Sequence, residues 1–286
     1  MENSDTTKSN WIKTSLILGT TAALALVLPD EPVDPWQILD LKKVMYVIFA
    51  LAFLQTLAGV VVDKLGSKAG IVLLGFLAGL VSSTATTATV ARQSRDSKDE
   101  DTNAETVVLL SATLAMLCEA AVVLTISLRP PKPLLYLMFL APILVCLGLT
   151  LTLTRRVRHM PEQLQPQGLQ LKPLLKLAAF IIGILALSKF LRGSLGDAGL
   201  MFLTFGVSLF EIHGSIIANI QLANAKVIEH STLIGLFSLS VAASFVSKMG
   251  LITILGSRAL KVRIAWITLI MIVTQALSWA LVRGLL

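Results

Sequence analysis

Charged residues are scarce in this chain. Asp, Glu, Lys and Arg make up 14% of its 286 residues, whereas apolar residues make up 55% and the mean hydropathy is +0.81. So few polar side chains cannot cover the surface of a soluble globule, and the composition excludes that class. The two cysteines, Cys118 and Cys146, fall inside apolar runs, and we interpret them as small packing residues.

Motifs of well-known enzyme classes are also missing. The sequence contains no nucleotide-binding glycine loop, no HExxH, no cysteine cluster and no GxSxG. We therefore expect a protein that is not an enzyme and that needs no cofactor. An intramembrane hydrolase ranks well below transport, because no oriented Ser–His pair stands at helical spacing.

Long apolar runs are what the chain has instead. A membrane-spanning helix needs about 20 consecutive apolar residues, and the alternation typical of a barrel is absent. We therefore predict an all-α integral membrane protein with about nine transmembrane helices. The predicted runs cover residues 11–28, 43–62, 70–91, 105–128, 133–154, 173–191, 198–222, 231–255 and 264–283.

The chain repeats itself weakly at a spacing of 129 residues. With this shift, residues 79–84 map onto residues 208–213, and Gly70 maps onto Gly199. An even number of helices in each repeat makes the halves parallel, unless one run turns back before crossing, in which case the halves become inverted. Within one membrane domain, the predicted units are an N-terminal helix with a Pro-rich acidic loop and two four-helix repeats, at residues 1–41, 42–158 and 170–286.

The net charge of +7 comes from Lys and Arg residues that lie in loops at the helix ends. Anionic lipid headgroups are the ordinary partner of such a distribution. We therefore expect the lipid bilayer, and no nucleic acid, as the partner of these residues.

Hydroxyl side chains fill the middle of the third apolar run. Such residues are common where membrane helices pack closely, because they bond back to their own backbone. Five hydroxyls within six positions cover every face of a helix, however, which packing does not require. We favour a helix that borders water or is locally unwound and offers oxygen atoms to a ligand. The candidate residues are Ser82, Ser83, Thr84, Thr86 and Thr87.

Two ionisable residues, Glu211 and His213, lie midway along the run 198–222. Ionisable groups at that depth are expensive unless they are paired or solvated, and they mark function by default. On a regular helix the two side chains point in different directions, so they face one ligand only where the helix opens, which Gly214 permits. The candidate ion- or substrate-binding residues of this run are Glu211, His213, Ser215 and Asn219.

Glu119 and Lys248 occupy equivalent positions of the two repeats and carry opposite charges. A direct pair would fix the register of the halves. Alternatively, Lys248 neutralises Glu211 until a cation or proton arrives, or it extends to the membrane interface. Glu211 could instead pair with Lys189. The sequence leaves these alternatives open, and it assigns no metal.

Several motifs together resemble a known family. They are Leu28-Pro29-Asp30 leading to Pro35-Trp36, the run from Gly79 to Thr87, the Glu211-x-His213 pattern, and Lys248, Gly256 and Arg258. From Leu28 to its end the chain resembles the C-terminal membrane domain of MgtC/SapB-type bacterial proteins, which is catalogued as domain of unknown function four-thousand-ten. The family pattern favours Asp where this chain has Glu211, and Asn where it has Ser244.

The resemblance implies a multi-pass protein of the bacterial inner membrane, in a family without a settled activity. No MgtC-like domain precedes the match in this sequence. We expect the contribution of that domain to be absent or to be supplied by a separate MgtC-like membrane partner. A homo-oligomer is the other protein assembly that we consider.

Our preferred hypothesis is a transporter or channel for a small ion or solute, with a polar site deep in the membrane between the two repeats. In this scheme the hydroxyls supply neutral oxygens, Glu211 supplies charge, and His213 takes or gives a proton near neutral pH. The alternative is a non-transporting membrane regulator or scaffold that binds another membrane protein. A transporter needs a hydrated cavity, whereas a scaffold can have a dry, fully paired centre.

Overall fold

The computed structural model describes residues 2–35, 37–65, 70–96, 101–128, 133–157 and 171–285. Within these ranges the chain forms nine α-helices, one 3₁₀ turn at Pro133–Tyr136 and no β-strand. The helices are α1 (Glu2–Val27), α2 (Leu41–Leu65), α3 (Ile71–Asp96), α4 (Asn103–Ser127), α5 (Leu137–Thr154), α6 (Leu171–Ser208), α7 (Ile212–Asn224), α8 (His230–Leu255) and α9 (Arg258–Gly284).

Six of these helices are long and apolar enough to cross a membrane, namely α2, α3, α4, α8, α9 and α5 with its 3₁₀ turn. The predicted all-α, multi-pass membrane fold is confirmed in this form. The apolar stretches of α1 (Thr14–Val27) and α6 (Leu177–Ser188) are shorter, and α7 has only 13 residues. The structure does not confirm the predicted count of nine spans.

Helix α4 lies at the centre of the bundle. Its apolar window is 78% buried, against 22% for the window of α9, and it packs against α2, α3, α5, α7 and α9. Glycines allow the close approach of α3. A Cβ atom at Gly75 would lie 3.0 Å from Ser111 Cβ, and one at Gly79 would overlap the backbone of Ala112.

Helices α4 and α8 run in opposite directions. The start of α4 lies beside the start of α9, because Arg263 Nη1 donates a hydrogen bond to Asn103 Oδ1 at 2.8 Å, and α9 directly follows the end of α8. The end of α4 lies beside the end of α7, because Asn224 Nδ2 donates to the Ser127 carbonyl oxygen at 2.9 Å. Helix α8 begins shortly after that point. The helices that carry Glu119 and Lys248 are therefore antiparallel.

Two helical segments are each broken at one extended residue. Ser82, inside α3, has φ −167° and ψ 102°. Glu211, between α6 and α7, has φ −151° and ψ 97°. The two residues are 129 positions apart, which is the spacing of the sequence repeat. The chain thus opens at corresponding positions of the two runs that carry the predicted site residues.

Both broken segments fold back on themselves. Thr204, before the second break, and Asn219, after it, form hydrogen bonds of 3.4 and 3.3 Å through their side chains. Gly75, before the first break, and Thr87, after it, both lie beside residues 108–113 of α4. The run 198–222, which was predicted to be one crossing helix, is therefore a hairpin that turns at Glu211. We name the two units the α3 hairpin and the α7 hairpin, at residues 71–96 and 197–224.

Gly196 separates the α7 hairpin from the long first part of α6. Its φ of +59° lies in the left-handed region that glycine adopts readily. Just after it, Asp197 Oδ2 accepts a hydrogen bond from Thr232 Oγ1 at 3.3 Å. The α7 hairpin therefore begins beside the start of α8, which is also where its last residue, Asn224, lies.

Candidate binding site at the two helix breaks

The break in α3 is capped by the side chain at which it occurs. Ser82 Oγ accepts a hydrogen bond from the backbone N–H of Ala85 at 3.2 Å. An extended residue whose side-chain oxygen accepts from the third residue that follows is a helix N-cap. Ser82 therefore starts a new half-helix at residues 83–96, whose first backbone N–H groups point back toward the break.

The second break has the same construction with a different side chain. Glu211 Oε1 accepts a hydrogen bond from the backbone N–H of His213 at 3.1 Å, which makes Glu211 the N-cap of α7. The preceding turn is held by α8, because Ser247 Oγ donates to the Leu209 carbonyl oxygen. The carboxylate of Glu211 lies at the positive end of the helix that it caps.

The two breaks meet at a cavity of about 150 Å³. Residues 79–84 from the α3 hairpin and residues 208–213 from the α7 hairpin line it, so the segments that align at the 129-residue spacing lie together. The remaining lining residues come from α2, α4, α6 and α8, and they are Leu51, Gln55, Glu119, Leu177, Ser244, Ser247 and Lys248. We call this space the central cavity.

His213 lies between two carboxylates in the wall of the central cavity. Its Nδ1 atom is 3.3 Å from Glu211 Oε1, and its Nε2 atom is 3.5 Å from Glu119 Oε2. The second distance is an ion-pair distance and is long for a hydrogen bond. The side chain of Glu119 is 4% exposed, while those of His213 and Glu211 are 16% and 27% exposed. The imidazole therefore joins a buried acid of α4 to a more accessible acid at the helix break.

Lys248 also lines the central cavity and is buried, without a carboxylate partner among the described residues. Its Nζ atom donates to Met116 Sδ at 2.8 Å and to Ser244 Oγ at 3.0 Å. The pairs of Lys248 with Glu119 or Glu211, which the sequence left open, are not formed in this arrangement. Both carboxylates face His213 instead. The Lys189 side chain lies outside the described part of the chain.

Three polar atoms in the wall lack a hydrogen-bond partner within the described residues. They are Glu119 Oε1, Ser208 Oγ and His213 Nε2, and all three residues line the central cavity. Glu119 and Ser208 are buried. A buried polar atom without a hydrogen bond is costly, and it calls for water or a ligand. In the described ranges, no group of three or more His, Cys, Asp or Glu side chains is arranged to hold a metal ion.

The structure brings together most of the predicted charged and hydroxyl residues. In the wall of the central cavity lie Ser82, Ser83, Thr84, Glu119, Glu211, His213 and Lys248. The reason is local, because each hairpin turns at its cap and so presents the six residues around the cap to the other hairpin.

Four other predicted residues lie outside this wall. Thr86 is buried, and Thr87 Oγ1 donates to the Ser83 carbonyl oxygen at 2.7 Å. Ser215 Oγ lies 3.2 Å from Ser240 Oγ, and Asn219 bonds Thr204 inside the α7 hairpin. The helices that follow the caps carry these residues away from the turn. They form buried helix contacts there, in agreement with the packing alternative.

Sequence reasoning missed several residues of the wall. Gln55, Ser208 and Ser247 line the central cavity, and Met116 accepts a hydrogen bond from Lys248. Ser208 carried a usable signal, because it is the repeat equivalent of Gly79 and belongs to the aligned segment. For the other residues, the side of the helix that faces the cavity depends on helix packing, which the sequence does not show.

A second cavity of about 40 Å³ lies beyond Lys248, between α3, α4, α8 and α9. Its wall is mostly apolar and includes Thr87, Thr113 and Thr268. Lys248 lines both cavities. The ammonium-bearing side chain therefore stands where the two spaces adjoin.

Comparison with known proteins shows the family to which the chain is similar. The family described as "Domain of unknown function (DUF4010)" matches residues 49–256, a stretch that contains both hairpins and the central cavity. No curated protein and no solved structure matches the chain.

Proposed function

Because the chain belongs to the DUF4010 family, whose description names no activity, we propose its function from the central cavity: it transports a small ion or solute across the membrane, with proton coupling through His213. The observation that carries the proposal is the meeting of two broken helices at a polar cavity with unpartnered buried groups. A scaffold has no use for such groups, because a dry and fully paired centre would be more stable.

The architecture supports this proposal. Each hairpin turns back at its cap, so we assign one hairpin and three crossing helices to each four-helix unit. An odd number of crossings makes the two units inverted, which agrees with the antiparallel directions of α4 and α8. Inverted repeats with discontinuous helices at their interface are a recurrent design of secondary transporters, and their substrates bind where the helices are broken.

The chemistry of the wall assigns roles to its residues. Ser82, Ser83 and Thr84 offer neutral oxygens, and Glu211 offers a charge that is accessible from the cavity. His213 exchanges the proton, since imidazole changes charge between pH 5 and 8. The titratable groups that face it are Glu119 from α4, Glu211 from the break and Lys248 from α8.

Flux measurements in proteoliposomes test the proposal. Purified protein is reconstituted, and the uptake of a panel of cations and small organic solutes is followed with and without a pH gradient. We expect Glu211→Gln and His213→Ala to lower the flux at least about tenfold, the usual cost of losing a hydrogen bond to a charged group. Glu229→Gln is the matched control, because Glu229 is exposed at the start of α8, outside the cavity. Absence of flux for every solute, or equal flux in both variants and wild type, would overturn the proposal.

We place this activity in the bacterial inner membrane, and we propose a separate MgtC-like membrane protein or a second copy of the chain as its protein partner. The resemblance to the membrane domain of MgtC/SapB-type proteins supports both assignments. Co-purification from native membranes, with and without an MgtC-like protein of the same cell, tests the partner independently of flux.

A further inference from the structure

We propose that the ligand of the central cavity is a small zwitterion, a molecule of about the size of an α-amino acid that carries one primary ammonium and one carboxylate group. This inference rests on the proposed function and names the substrate class of that site. It follows from three features of the wall, namely two buried acceptor atoms without a partner among the described residues, a helix terminus whose cap is uncharged, and the balance of the wall's charges.

The ammonium end of the ligand is assigned to Glu119 and Ser208. Glu119 Oε1 and Ser208 Oγ have no hydrogen-bond partner among the described residues, although both residues are at least nine-tenths buried and line the cavity. A carboxylate oxygen can only accept a hydrogen bond, and a serine hydroxyl can accept one. A group with several N–H donors and a positive charge therefore satisfies both atoms, and a primary ammonium is such a group.

The carboxylate end is assigned to the break in α3. The half-helix that begins after Ser82 is capped by a neutral hydroxyl, so its positive end is not neutralised by its own cap. Ser83 and Thr84, its first two residues, line the cavity. A helix N-terminus binds carboxylates through backbone N–H groups, as in transporters with broken helices. Lys248 adds a positive charge to the same cavity.

The other helix terminus in the cavity is already occupied. Glu211 caps α7 with a carboxylate, so an anionic ligand would be repelled there. Of its two helix termini, the wall therefore offers only the one at the α3 break to a carboxylate, and its acidic groups remain for the ammonium.

The charges of the wall balance without a net charge on the ligand. Both ring nitrogens of His213 face carboxylate oxygens, and both can donate only in the imidazolium form. In that form His213 and Lys248 balance Glu119 and Glu211. While His213 holds this proton, a simple ion would add an uncompensated charge deep in the protein, whereas a zwitterion adds none. The cavity volume of about 150 Å³ exceeds what one bare ion needs and accommodates a small organic molecule.

Binding to the reconstituted full chain tests this inference with molecules that isolate each end. The probes are glycine and L-alanine, with ethylamine for the ammonium half, propionate for the carboxylate half, glycine betaine as a zwitterion without N–H donors, and sodium chloride. Isothermal titration calorimetry is expected to give an affinity for glycine or L-alanine at least about tenfold higher than for either half or for betaine. Equal affinities for the zwitterions and the halves would overturn the inference.

Two variants locate the ammonium end. We expect Glu119→Gln to weaken glycine binding at least about tenfold, and Ser208→Ala to weaken it a few-fold. Ser208→Ala removes a hydroxyl that has no hydrogen-bond partner among the described residues, so it tests the site even if Glu119→Gln fails to accumulate. Glu229→Gln is again the control. Unchanged glycine affinity in Ser208→Ala and in folded Glu119→Gln would contradict the assignment.

The outcomes separate this inference from the proposed function. If sodium or another simple ion moves in a manner that depends on Glu211 and His213, while zwitterions neither bind nor compete, the zwitterion is wrong and transport stands. If glycine or L-alanine is taken up and no simple ion competes with its uptake, both the transport proposal and the zwitterion inference stand. If nothing binds and nothing moves, both fail.

Discussion

The breaks at Ser82 and Glu211 share a backbone conformation, a position in the 129-residue spacing and a capping role, yet they differ in charge. One cap is a hydroxyl, 3.2 Å from the N–H of Ala85, and the other is a carboxylate, 3.1 Å from the N–H of His213. The backbone requires an acceptor at each turn, and either side chain supplies it. Two breaks with the same backbone conformation therefore differ in charge. The helix end capped by the Ser82 hydroxyl stays positive, whereas the Glu211 carboxylate neutralises the end that it caps.

Alanine substitutions at Gly79 and Ser208, which lie three residues before the two breaks, give the largest expected difference in stability. A Cβ atom at Gly79 would overlap the backbone of Ala112, whereas its equivalent Ser208 has a buried hydroxyl that bonds no residue in the described ranges. We expect Gly79→Ala to destabilise the protein by about 3 kcal/mol, because α3 and α4 must separate. Ser208→Ala should cost well under that amount. Thermal unfolding in detergent measures both.

Gly59→Ala in α2 is the control for the glycine series, since no atom lies within 4 Å of a Cβ there. It should leave stability unchanged or raise it slightly, because alanine favours helix. Equal stability of Gly79→Ala and Gly59→Ala would contradict the close packing of the α3 hairpin on α4.

Placing a carboxylate at the first break, as Glu211 does at the second, is expected to have an effect of intermediate size. Ser82→Asp keeps an acceptor for the N–H of Ala85 and adds a negative charge at the break. We expect it to preserve folding and to weaken glycine binding about tenfold, because the helix end proposed for the ligand carboxylate becomes occupied. Calorimetric titration with glycine measures the change.

Ser82→Ala is the neutral comparison. It removes the cap, at a cost of about 1 kcal/mol in stability, without placing a charge in the cavity. If Ser82→Asp binds glycine as well as wild type does, the ligand carboxylate does not lie at this break.

The smallest effect is expected inside the α7 hairpin. Asn219→Ala removes the side-chain contact with Thr204, which is buried and outside the central cavity. We expect a loss of about 1 kcal/mol in thermal stability with unchanged glycine affinity and flux. A selective loss of affinity in a stable Asn219→Ala protein would instead return Asn219 to the binding site, where the sequence had placed it.

Part of the site could be predicted from the sequence, because polar side chains within apolar membrane segments cost free energy and so indicate a function. Glu211, His213 and the hydroxyls from Ser82 to Thr84 stood out for that reason, and the structure places them around one cavity. Ser215 was predicted as a site residue for the same reason, but its hydroxyl lies in a buried contact with Ser240 of α8. Cost alone does not tell a cavity-facing residue from one that is paired between helices.

The partners of the charged residues were beyond what the sequence could predict. Lys248 and Glu119 are repeat equivalents with opposite charges, but the ammonium bonds Met116 and Ser244, while the acid faces His213. Whether two such groups meet depends on how two antiparallel helices cross. The hairpin of residues 197–224 was likewise invisible to hydropathy, because its two arms add up to the length of one span.

Lys248 lines both cavities, so its side chain lies between the two spaces. A positive charge in the walls of two small cavities repels cations from both of them. Any rotation of the side chain changes both compartments at once. The position of this side chain is set by the two hydrogen bonds of its nitrogen, to the Met116 thioether and to the Ser244 hydroxyl.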